Sequence, residues 1–343
     1  EDYIIYMLTG SRMIDYSLAT RTMAFDIRAL DWSQEIFRAA GIDSGLFSKP
    51  VPSGTSAGQI LPEMAERLGL PRDLLLVPAV HDQAAAAVGS GVFKADRAVD
   101  VTGTVECITP VFEGIPEDRR IYDGGYAIVP YVVPGSYVTY AFTFTGGALV
   151  SWFINNLAKE EKKRAGEEGR SVYDLLEEGM KDEPTGILVL PHFAGSGTPY
   201  MDGGAKGAVV GLTLDHSASD LYRAMMEGVT YEMRLNLERL AESGIRPQKL
   251  RAAGGGAASA VWMQMKADIL NLPVVSLGSA EAGATGCAML AGVAAGVFRD
   301  LKEAASVMLK EKDTYLPRPE MHEAYETYYE KYRRLYEAVR PLV

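Results

Sequence analysis

Cysteine is scarce in this sequence. Its 343 residues include two cysteines, Cys107 and Cys287, and neither belongs to a CxxC pair or to a Cys/His cluster with metal-ligand spacing. Two thiols cannot build a disulfide framework, so a reducing, cytoplasmic location is expected. The same scarcity argues against a structural zinc site, and no protein-bound metal is predicted.

The sequence also has few basic residues relative to acidic ones, and it has no long apolar run. The 34 Lys and Arg residues are outnumbered by 45 Asp and Glu residues, which gives a net charge of -11 and a pI near 5.0. A surface that binds nucleic acid needs a basic patch, so no nucleic-acid partner is expected. No apolar run approaches the ~20 residues of a membrane-spanning helix, so no membrane association is expected.

One stretch, from Leu74 to Thr104, has the clearest chemical content. Its apolar residues 74–80 predict a buried strand, and Asp82 follows at the carboxyl end of that strand. A run of small residues, 84–91, predicts a helix that can pack closely on a neighbour. The next apolar segment ends in Thr102-Gly103-Thr104, where hydroxyls and backbone amides can contact phosphate oxygens. A nearby Asp can take the proton of an attacking alcohol, so the combination indicates phosphoryl transfer to a hydroxyl.

Each of these features also has a simpler interpretation. An Asp after a strand is more often a helix N-cap than a base, and a Thr-Gly-Thr sequence is usually a turn. The pair Gly146-Gly147 can serve only to pack a strand against a helix. Gly254-Gly255-Gly256 lacks the Lys of a Walker loop and is not GxGxxG, so neither P-loop nor Rossmann chemistry is supported.

The order of the predicted elements gives the fold class. Short helices fill the first 73 residues, several strands follow from Val99, and strands then alternate with helices. This order predicts an α/β protein with a mixed sheet. Residues 219–242 predict a long amphipathic helix, and residues 321–339 predict one Tyr-rich helix at the C-terminus. The apolar face of that last helix is suited to contact with a second copy of the chain, so a homodimer is a possible assembly.

Three stretches resemble the FGGY carbohydrate kinases. Residues 207–228, GAVVGLTLDHSASDLYRAMMEG, resemble the C-terminal signature of the family, and residues 253–275 resemble its adenosine-binding turn and helix. The sequence HDQAAAAVGSG, residues 81–91, together with Thr102-Gly103-Thr104, stands where the family carries its catalytic Asp and a phosphate-contacting Thr. The loop PHFAGSGTPYMD and the segment TGTVE resemble the xylulokinase-like subgroup.

The resemblance implies a fold and a domain organisation. The implied fold is α/β of the ribonuclease H-like, actin-like ATPase type. Residues 1–92 would be the C-terminal part of domain I, and residues 93–343 would be the complete nucleotide-binding domain II with its C-terminal helix. Nothing in the sequence resembles the acidic phosphate hairpin that opens the family, so the N-terminal portion of the family is expected to be lacking.

The resemblance also implies a site that binds ATP, Mg²⁺ and a sugar. Asp82 would be the general base, flanked by His81 and Gln83 on the side of the sugar. The remaining implied residues would contact the nucleotide. They are Thr104 and Gly103 at the terminal phosphates, Gly147 near the phosphates or ribose, Gly255 and Gly256 at the adenosine, and Ser259 at the adenine.

The expected function is ATP-dependent phosphorylation of a sugar hydroxyl, with a ketose such as xylulose as the acceptor. Polyol, fuculose-type and gluconate acceptors stay open. The alternative is a non-catalytic fragment or a nucleotide-binding, actin-like module. This alternative stays open because phosphoryl transfer depends on positioned charges, and the family's N-terminal portion, which is expected to be lacking, would supply some of them.

Overall fold

The computed structural model describes residues 1–278 and 281–343. Its first 90 residues form short elements that pair locally: β1 with β4 in parallel, and β2 with β3 and β5 with β6 in antiparallel fashion. These elements are α1 (Asp2–Thr9), β1 (Met13–Asp15), α2 (Tyr16–Thr20), β2 (Phe25–Asp26), β3 (Asp31–Trp32), α3 (Gln34–Ala40), β4 (Lys49–Val51), β5 (Gly58–Gln59), α4 (Pro62–Leu68), β6 (Leu75–Leu76) and α5 (Asp82–Gly89).

The predicted buried strand at residues 74–80 was wrong in length. Only Leu75–Leu76 pairs as a strand, antiparallel to Gly58–Gln59, and both leucines are half-buried. Pro78 lies in the middle of the run and has no N–H to donate to a ladder, so the pairing stops before it. The extended chain nevertheless leads directly into α5, which begins at Asp82.

The rest of the chain is built on a mixed sheet. Among the described residues eight strands join, in the order β16-β15-β14-β7-β8-β10-β9, with β11 also pairing with β8. The elements of this part are β7 (Arg97–Thr102), β8 (Glu106–Glu113), α6 (Arg119–Asp123), β9 (Val129–Pro130), β10 (Ser136–Val138), β11 (Ala141–Thr143), α7 (Gly147–Asn156), α8 (Lys159–Glu168), α9 (Val172–Glu178), β12 (Leu188–Leu190), β13 (Ala208–Val210), α10 (Ala218–Glu242), β14 (Lys249–Ala253), α11 (Ala260–Leu270), β15 (Val274–Leu277), α12 (Ala282–Ala294), α13 (Leu301–Met308), β16 (Glu311–Tyr315), α14 (Pro319–Tyr332) and α15 (Leu335–Val339).

The centre of the sheet brings two glycine-containing turns to one edge. β7, β14 and β15 run parallel, and Val101 of β7 lies opposite Ala253 of β14. The turn after Thr102 and the turn after Ala253 therefore leave the sheet side by side. Ligands of open α/β sheets bind at such carboxyl edges, so the topology alone indicates where a site should lie.

The long helix α10 and the C-terminal helices cover the sheet. The predicted helix at 219–242 is confirmed as Ala218–Glu242, with a capping box between Ser217 and Asp220. The single helix predicted at 321–339 was wrong, because α14 ends at Tyr332 and α15 begins at Leu335. The hydroxyls of Tyr332 and Tyr336, on either side of the break, donate to Glu232 of α10 and to Asp202 in the loop between β12 and β13.

Four of the five tyrosines of these helices lie inside the chain. Tyr325, Tyr329, Tyr332 and Tyr336 are all buried in the main core. The apolar face on which the homodimer prediction was based is thus packed against α10 and β12. The homodimer remains a prediction, and this helix does not support it. Of the helices in the described ranges, none combines the length and the apolar character that crossing a bilayer requires.

Candidate nucleotide site

A cavity of about 900 Å³ opens at the carboxyl edge of the sheet. Its walls come from the turn after β7, the start of α7, the turn after β14, α9 and the start of α11. The structure brings together all six residues predicted to contact a nucleotide, and each of them lines this cavity: Gly103, Thr104, Gly147, Gly255, Gly256 and Ser259. The volume lies within the range of small-molecule pockets, roughly 300–1,000 Å³.

The turn from Thr102 to Thr104 is held by the start of α7. The Gly147 N–H donates to the Gly103 carbonyl over 2.8 Å, and the Ala148 N–H donates to the Thr104 carbonyl over 3.0 Å. A Cβ added at Gly147 would lie 2.7 Å from the Gly103 oxygen, so a glycine is required there. The Gly147 amide, predicted to favour an anion, is therefore engaged with the turn, and it shapes the turn that faces the cavity.

The glycines after β14 divide into two kinds. Gly254 adopts a φ of +84°, and a Cβ there would lie 2.5 Å from the Thr102 carbonyl oxygen. A Cβ at Gly256 would lie 2.5 Å from the Thr102 Cγ2 atom, whereas one at Gly255 would have nothing within 4 Å. Two of the three glycines thus allow close packing on Thr102, and Gly255 is the one that faces open space.

Ser259 joins the cavity wall to a helix that the sequence pattern had not predicted. Its hydroxyl donates to Glu177 Oε1 over 2.7 Å and accepts from the Trp262 N–H over 3.1 Å, which caps α11. Burial raises the pKa of the half-buried Glu177 carboxyl above its ordinary value. Asp174 of the same helix, α9, also lines the cavity.

Sequence reasoning missed α9 and the two carboxylates that this helix brings to the cavity, although a signal was present. Ser171 is the N-cap of α9, and Asp174 stands three residues later. A Ser followed at that distance by an acidic residue is a helix-start pattern.

Asp82 stands at the start of α5, outside the cavity lining. It is the first residue of the helix and not its N-cap, a position that His81 occupies without a side-chain cap bond. The Asp82 side chain is 79% exposed, and its Oδ1 accepts the Gln83 N–H over 2.7 Å. The N-cap interpretation is therefore wrong, and the carboxylate is open to an incoming group.

His81 is fixed more firmly than its neighbour. Its N–H donates to the buried Ser17 hydroxyl over 2.7 Å, and its ring lies 5.1 Å from the Tyr140 ring. Its Nδ1 lies 3.1 Å from Asp82 Oδ1. Burial lowers the pKa of the imidazole below its ordinary value. These contacts anchor the start of α5 to the first part of the chain.

The helix α5 is also held from the other side, by α12. A Cβ added at Gly89 would fall far inside the contact radius of the Ala282 carbonyl oxygen, and one at Gly286 would do the same with the Ala85 carbonyl. The two helices therefore cross with their backbones in contact. This confirms the predicted closely packed helix over residues 84–89, whereas Ser90 and Gly91 lie beyond its end.

Two sequence models of one family match the chain. The model for the FGGY family of carbohydrate kinases, N-terminal domain, matches residues 1–89, and the model for its C-terminal domain matches residues 121–295. Together they account for most of the chain, and the C-terminal model alone covers just over half of it.

Individual relatives agree with this match. The xylulose kinase of Bacillus subtilis (strain 168) is 28% identical in an alignment of 345 positions that covers 100% of this chain and 66% of that protein. The autoinducer-2 kinase of Escherichia coli O9:H4 (strain HS) is 30% identical over 346 residues, covering 98% of this chain and 64% of that protein. The chain thus spans about two thirds of the length of these relatives.

A solved structure shows the fold. The ligand-bound xylulose kinase from Lactobacillus acidophilus superposes with a TM-score of 0.88 at 22% identity, over 99% of this chain and 67% of that one. This likeness confirms the ribonuclease H-like, actin-like α/β fold. With both family models matched and the fold shared, the chain belongs to the FGGY family of carbohydrate kinases.

Proposed function

We propose that this chain carries the ATP-binding site and the general base of a kinase that phosphorylates a sugar hydroxyl. The observation that carries the proposal is the meeting of six residues from three separate sequence segments around one cavity. Asp82 supplies the base from the start of α5. In this proposal residues 1–92 belong to the acceptor side, and residues 93–343 form the nucleotide side.

The charges around the cavity orient the nucleotide. Asp174 and Glu177 place carboxylates at the α9 wall, where a triphosphate would be repelled. At the other wall the turn offers the hydroxyl and the N–H of Thr104, while the Gly103 N–H donates to the Val105 carbonyl over 2.9 Å. The phosphates therefore lie at this turn, and the ribose and base lie toward α9, where carboxylates can accept hydrogen bonds from hydroxyl and amino groups.

Asp82 has the exposure that a general base needs. Its carboxylate can reach a substrate hydroxyl without displacing a buried partner, and accepting that proton makes the oxygen a better nucleophile toward the terminal phosphate. His81 and Gln83 stand beside it to contact the sugar. The anchoring of His81 by Ser17 fixes the direction from which the acceptor approaches.

Mg²⁺ fits this arrangement as a companion of the nucleotide. In kinase sites it keeps several waters and binds phosphate oxygens with one or two carboxylates, so a dedicated protein cage is not required. The described residues contain no group of three or more His, Cys, Asp and Glu side chains that could form such a cage. The ion would neutralise charge that develops on the transferred phosphoryl group.

A ketose is the acceptor class we propose, with xylulose first. Support comes from the xylulose kinases among the relatives and from the xylulokinase-like glycine-rich loop. The relative named as an autoinducer-2 kinase and a structural neighbour named as a gluconate kinase show that acceptors vary among similar proteins. Polyols, fuculose-type sugars and gluconate are therefore included in the test.

The test is ATP consumption by the purified protein with a panel of ketoses, polyols and sugar acids. We expect turnover with a ketose, and we expect Asp82→Asn to lower it by about 10²-fold or more, because the hydroxyl keeps its proton. Asp123→Asn, which makes the same change on the distant helix α6, is the matched control. Nucleotide binding without turnover on any acceptor would contradict the kinase proposal and favour the nucleotide-binding, actin-like module.

A further inference from the structure

A fully buried lysine lies directly beneath the turn that faces the cavity. The Lys266 ammonium, on α11, is 2.6 Å from Asp100 Oδ2, 2.6 Å from Thr102 Oγ1 and 3.0 Å from Glu106 Oε1. All four side chains have at most 1% of their surface exposed. The ammonium donates hydrogen bonds to Asp100 Oδ2 and Thr102 Oγ1, and it forms an ion pair with Glu106 Oε1.

The cluster is connected to the turn through Thr102. Because the Thr102 hydroxyl accepts from Lys266, its own hydrogen is directed to Glu106 Oε2, 3.3 Å away. Thr102 is the last residue of β7, it lines the cavity, and Gly254 and Gly256 pack on its backbone and side chain. A shift of Thr102 would therefore move both walls of the phosphate end of the cavity.

Stability does not explain why a lysine is buried here. Replacing a buried ion cluster by apolar side chains of similar volume is often neutral or even stabilising, because the charges lose their hydration. Without the ammonium, however, Asp100 and, above the pH at which it ionises, Glu106 would leave negative charge next to the place where phosphates arrive. In a poorly solvated interior such charge is only weakly screened.

We propose that Lys266 is a positioning residue of the nucleotide site, which holds the Thr102–Thr104 turn and neutralises the two carboxylates beneath it so that the phosphates of ATP can bind. The inference rests on the proposed function. Lys266 does not touch the nucleotide in this account, since it acts through Thr102. Its ammonium also lies 5.2 Å from the centre of the Trp262 ring, which lines the cavity.

The experiment compares ligands with and without phosphates. Trp152 and Trp262 both line the cavity, so tryptophan fluorescence can report the binding of ATP and of adenosine. We expect Lys266→Met to weaken ATP binding about tenfold and to leave adenosine binding nearly unchanged, because truncating one partner of a buried charge cluster exposes the other charges. Lys302→Met, the same change at an exposed position of α13 outside the cavity, should alter neither affinity.

A second substitution separates charge from shape. Lys266→Met combined with Asp100→Asn removes one of the stranded carboxylates, and we expect it to recover most of the ATP affinity. Equal losses for ATP and adenosine, or no recovery in the double variant, would overturn the positioning role. Failure of the unsubstituted protein to bind either ligand would overturn the proposed function as well, so the two failures are distinguishable.

If Lys266→Met does not fold, Glu106→Gln tests the same inference, and the expected change in ATP affinity is then an increase. The groups that face Glu106 are Lys266 from α11 and Asp100 and Thr102 from β7. Removing a negative charge while the ammonium stays should tighten ATP binding at a pH above 7 and leave adenosine binding unchanged. An unchanged ATP affinity in this folded variant would overturn the inference.

Discussion

The Ser259 hydroxyl donates to Glu177 Oε1 over 2.7 Å and so joins the start of α11 to α9 across the wall of the cavity. The same hydroxyl accepts the Trp262 N–H at the first turn of α11. One side chain therefore caps a helix and holds a half-buried carboxylate in place. The adenine contact predicted for Ser259 has to coexist with these two bonds, and its removal should affect both stability and binding.

We expect Ser259→Ala to lower the free energy of unfolding by about 1–2 kcal/mol, since the loss of a Ser cap and of a hydrogen bond to a carboxylate each contribute. Ser259→Thr keeps an oxygen in the same position and should retain most of the stability. Thermal unfolding of the two variants beside the unsubstituted protein is the measurement. Equal destabilisation by both substitutions would contradict the capping role.

Gly255 and Gly256 are adjacent in the turn after β14, but a methyl group added at each would meet different surroundings. Gly256→Ala places a methyl group against Thr102 Cγ2, so it should both destabilise the fold and weaken ATP binding. Gly255→Ala places its methyl group in open space at the cavity wall, so it should leave the unfolding free energy within about 0.5 kcal/mol. We expect it to weaken ATP binding all the same, because the methyl group occupies space that the nucleotide would fill.

Unfolding curves and ATP titrations on both glycine variants check this contrast. Gly244→Ala is not a suitable control, because that glycine has a positive φ of +85°. Gly203 has an ordinary φ and nothing within 4 Å of an added Cβ, and it is not among the residues that line the cavity, which makes Gly203→Ala the appropriate comparison. A Gly255→Ala variant that binds ATP normally would place the nucleotide away from this turn.

The stability of the protein should depend on pH through Glu106. Burial raises the pKa of this carboxyl to about 7 in the folded state, from 4.5. A raised pKa means that the folded state binds more protons than the unfolded state between these values, so stability is present at low pH and is lost as the pH rises through 7. Lys266 remains charged throughout this range and adds no slope there.

Chemical unfolding between pH 5 and pH 8 is the measurement for Glu106, and we expect stability to fall more steeply over this range in the unsubstituted protein than in Glu106→Gln. Glu113→Gln, at the exposed end of the same strand, is the matched control and should keep the slope of the unsubstituted protein. Identical slopes in the protein and in Glu106→Gln would show that Glu106 is not protonated near neutral pH.

Local sequence signals were enough for some of the elements that carry the site, but not for α9. The strands β14 (Lys249–Ala253) and β15 (Val274–Leu277) each follow a proline-containing segment and end before a glycine, a boundary pattern typical of strands. The parallel alignment of β7 with β14 could not be read from either strand alone. It depends on long-range pairing, and it is what places the Thr102 turn beside the glycine turn.

The buried cluster was beyond local reasoning for a different reason. Lys266 lies in α11, and a lysine taken by itself predicts an exposed position. Its partners Asp100 and Glu106 are more than 150 residues away in sequence, and a lysine is almost never buried without such partners. Only the packing of α11 on β7 and β8 shows that these charges meet beneath the cavity.

The crossing of α5 and α12 gives a prediction for the placement of Asp82. Gly286→Ala would push a methyl group into the Ala85 carbonyl, so the two helices must separate. Backbone has little room to yield in a packed core, and we expect a loss of about 2 kcal/mol or more in the unfolding free energy. Because α5 begins at Asp82, the displacement should also lower kcat more than it raises KM for ATP.

Gly283→Ala is the matched control for this crossing, three residues earlier in α12. Its added Cβ would be 3.9 Å from the Asp82 carbonyl oxygen, an ordinary contact. Ala is favoured over Gly in a helix by about 1 kcal/mol, so this variant should be as stable as the unsubstituted protein or slightly more so. Thermal unfolding and steady-state kinetics of the pair decide the matter. If Gly286→Ala is as stable and as active as Gly283→Ala, the backbone contact between α5 and α12 does not set the position of Asp82.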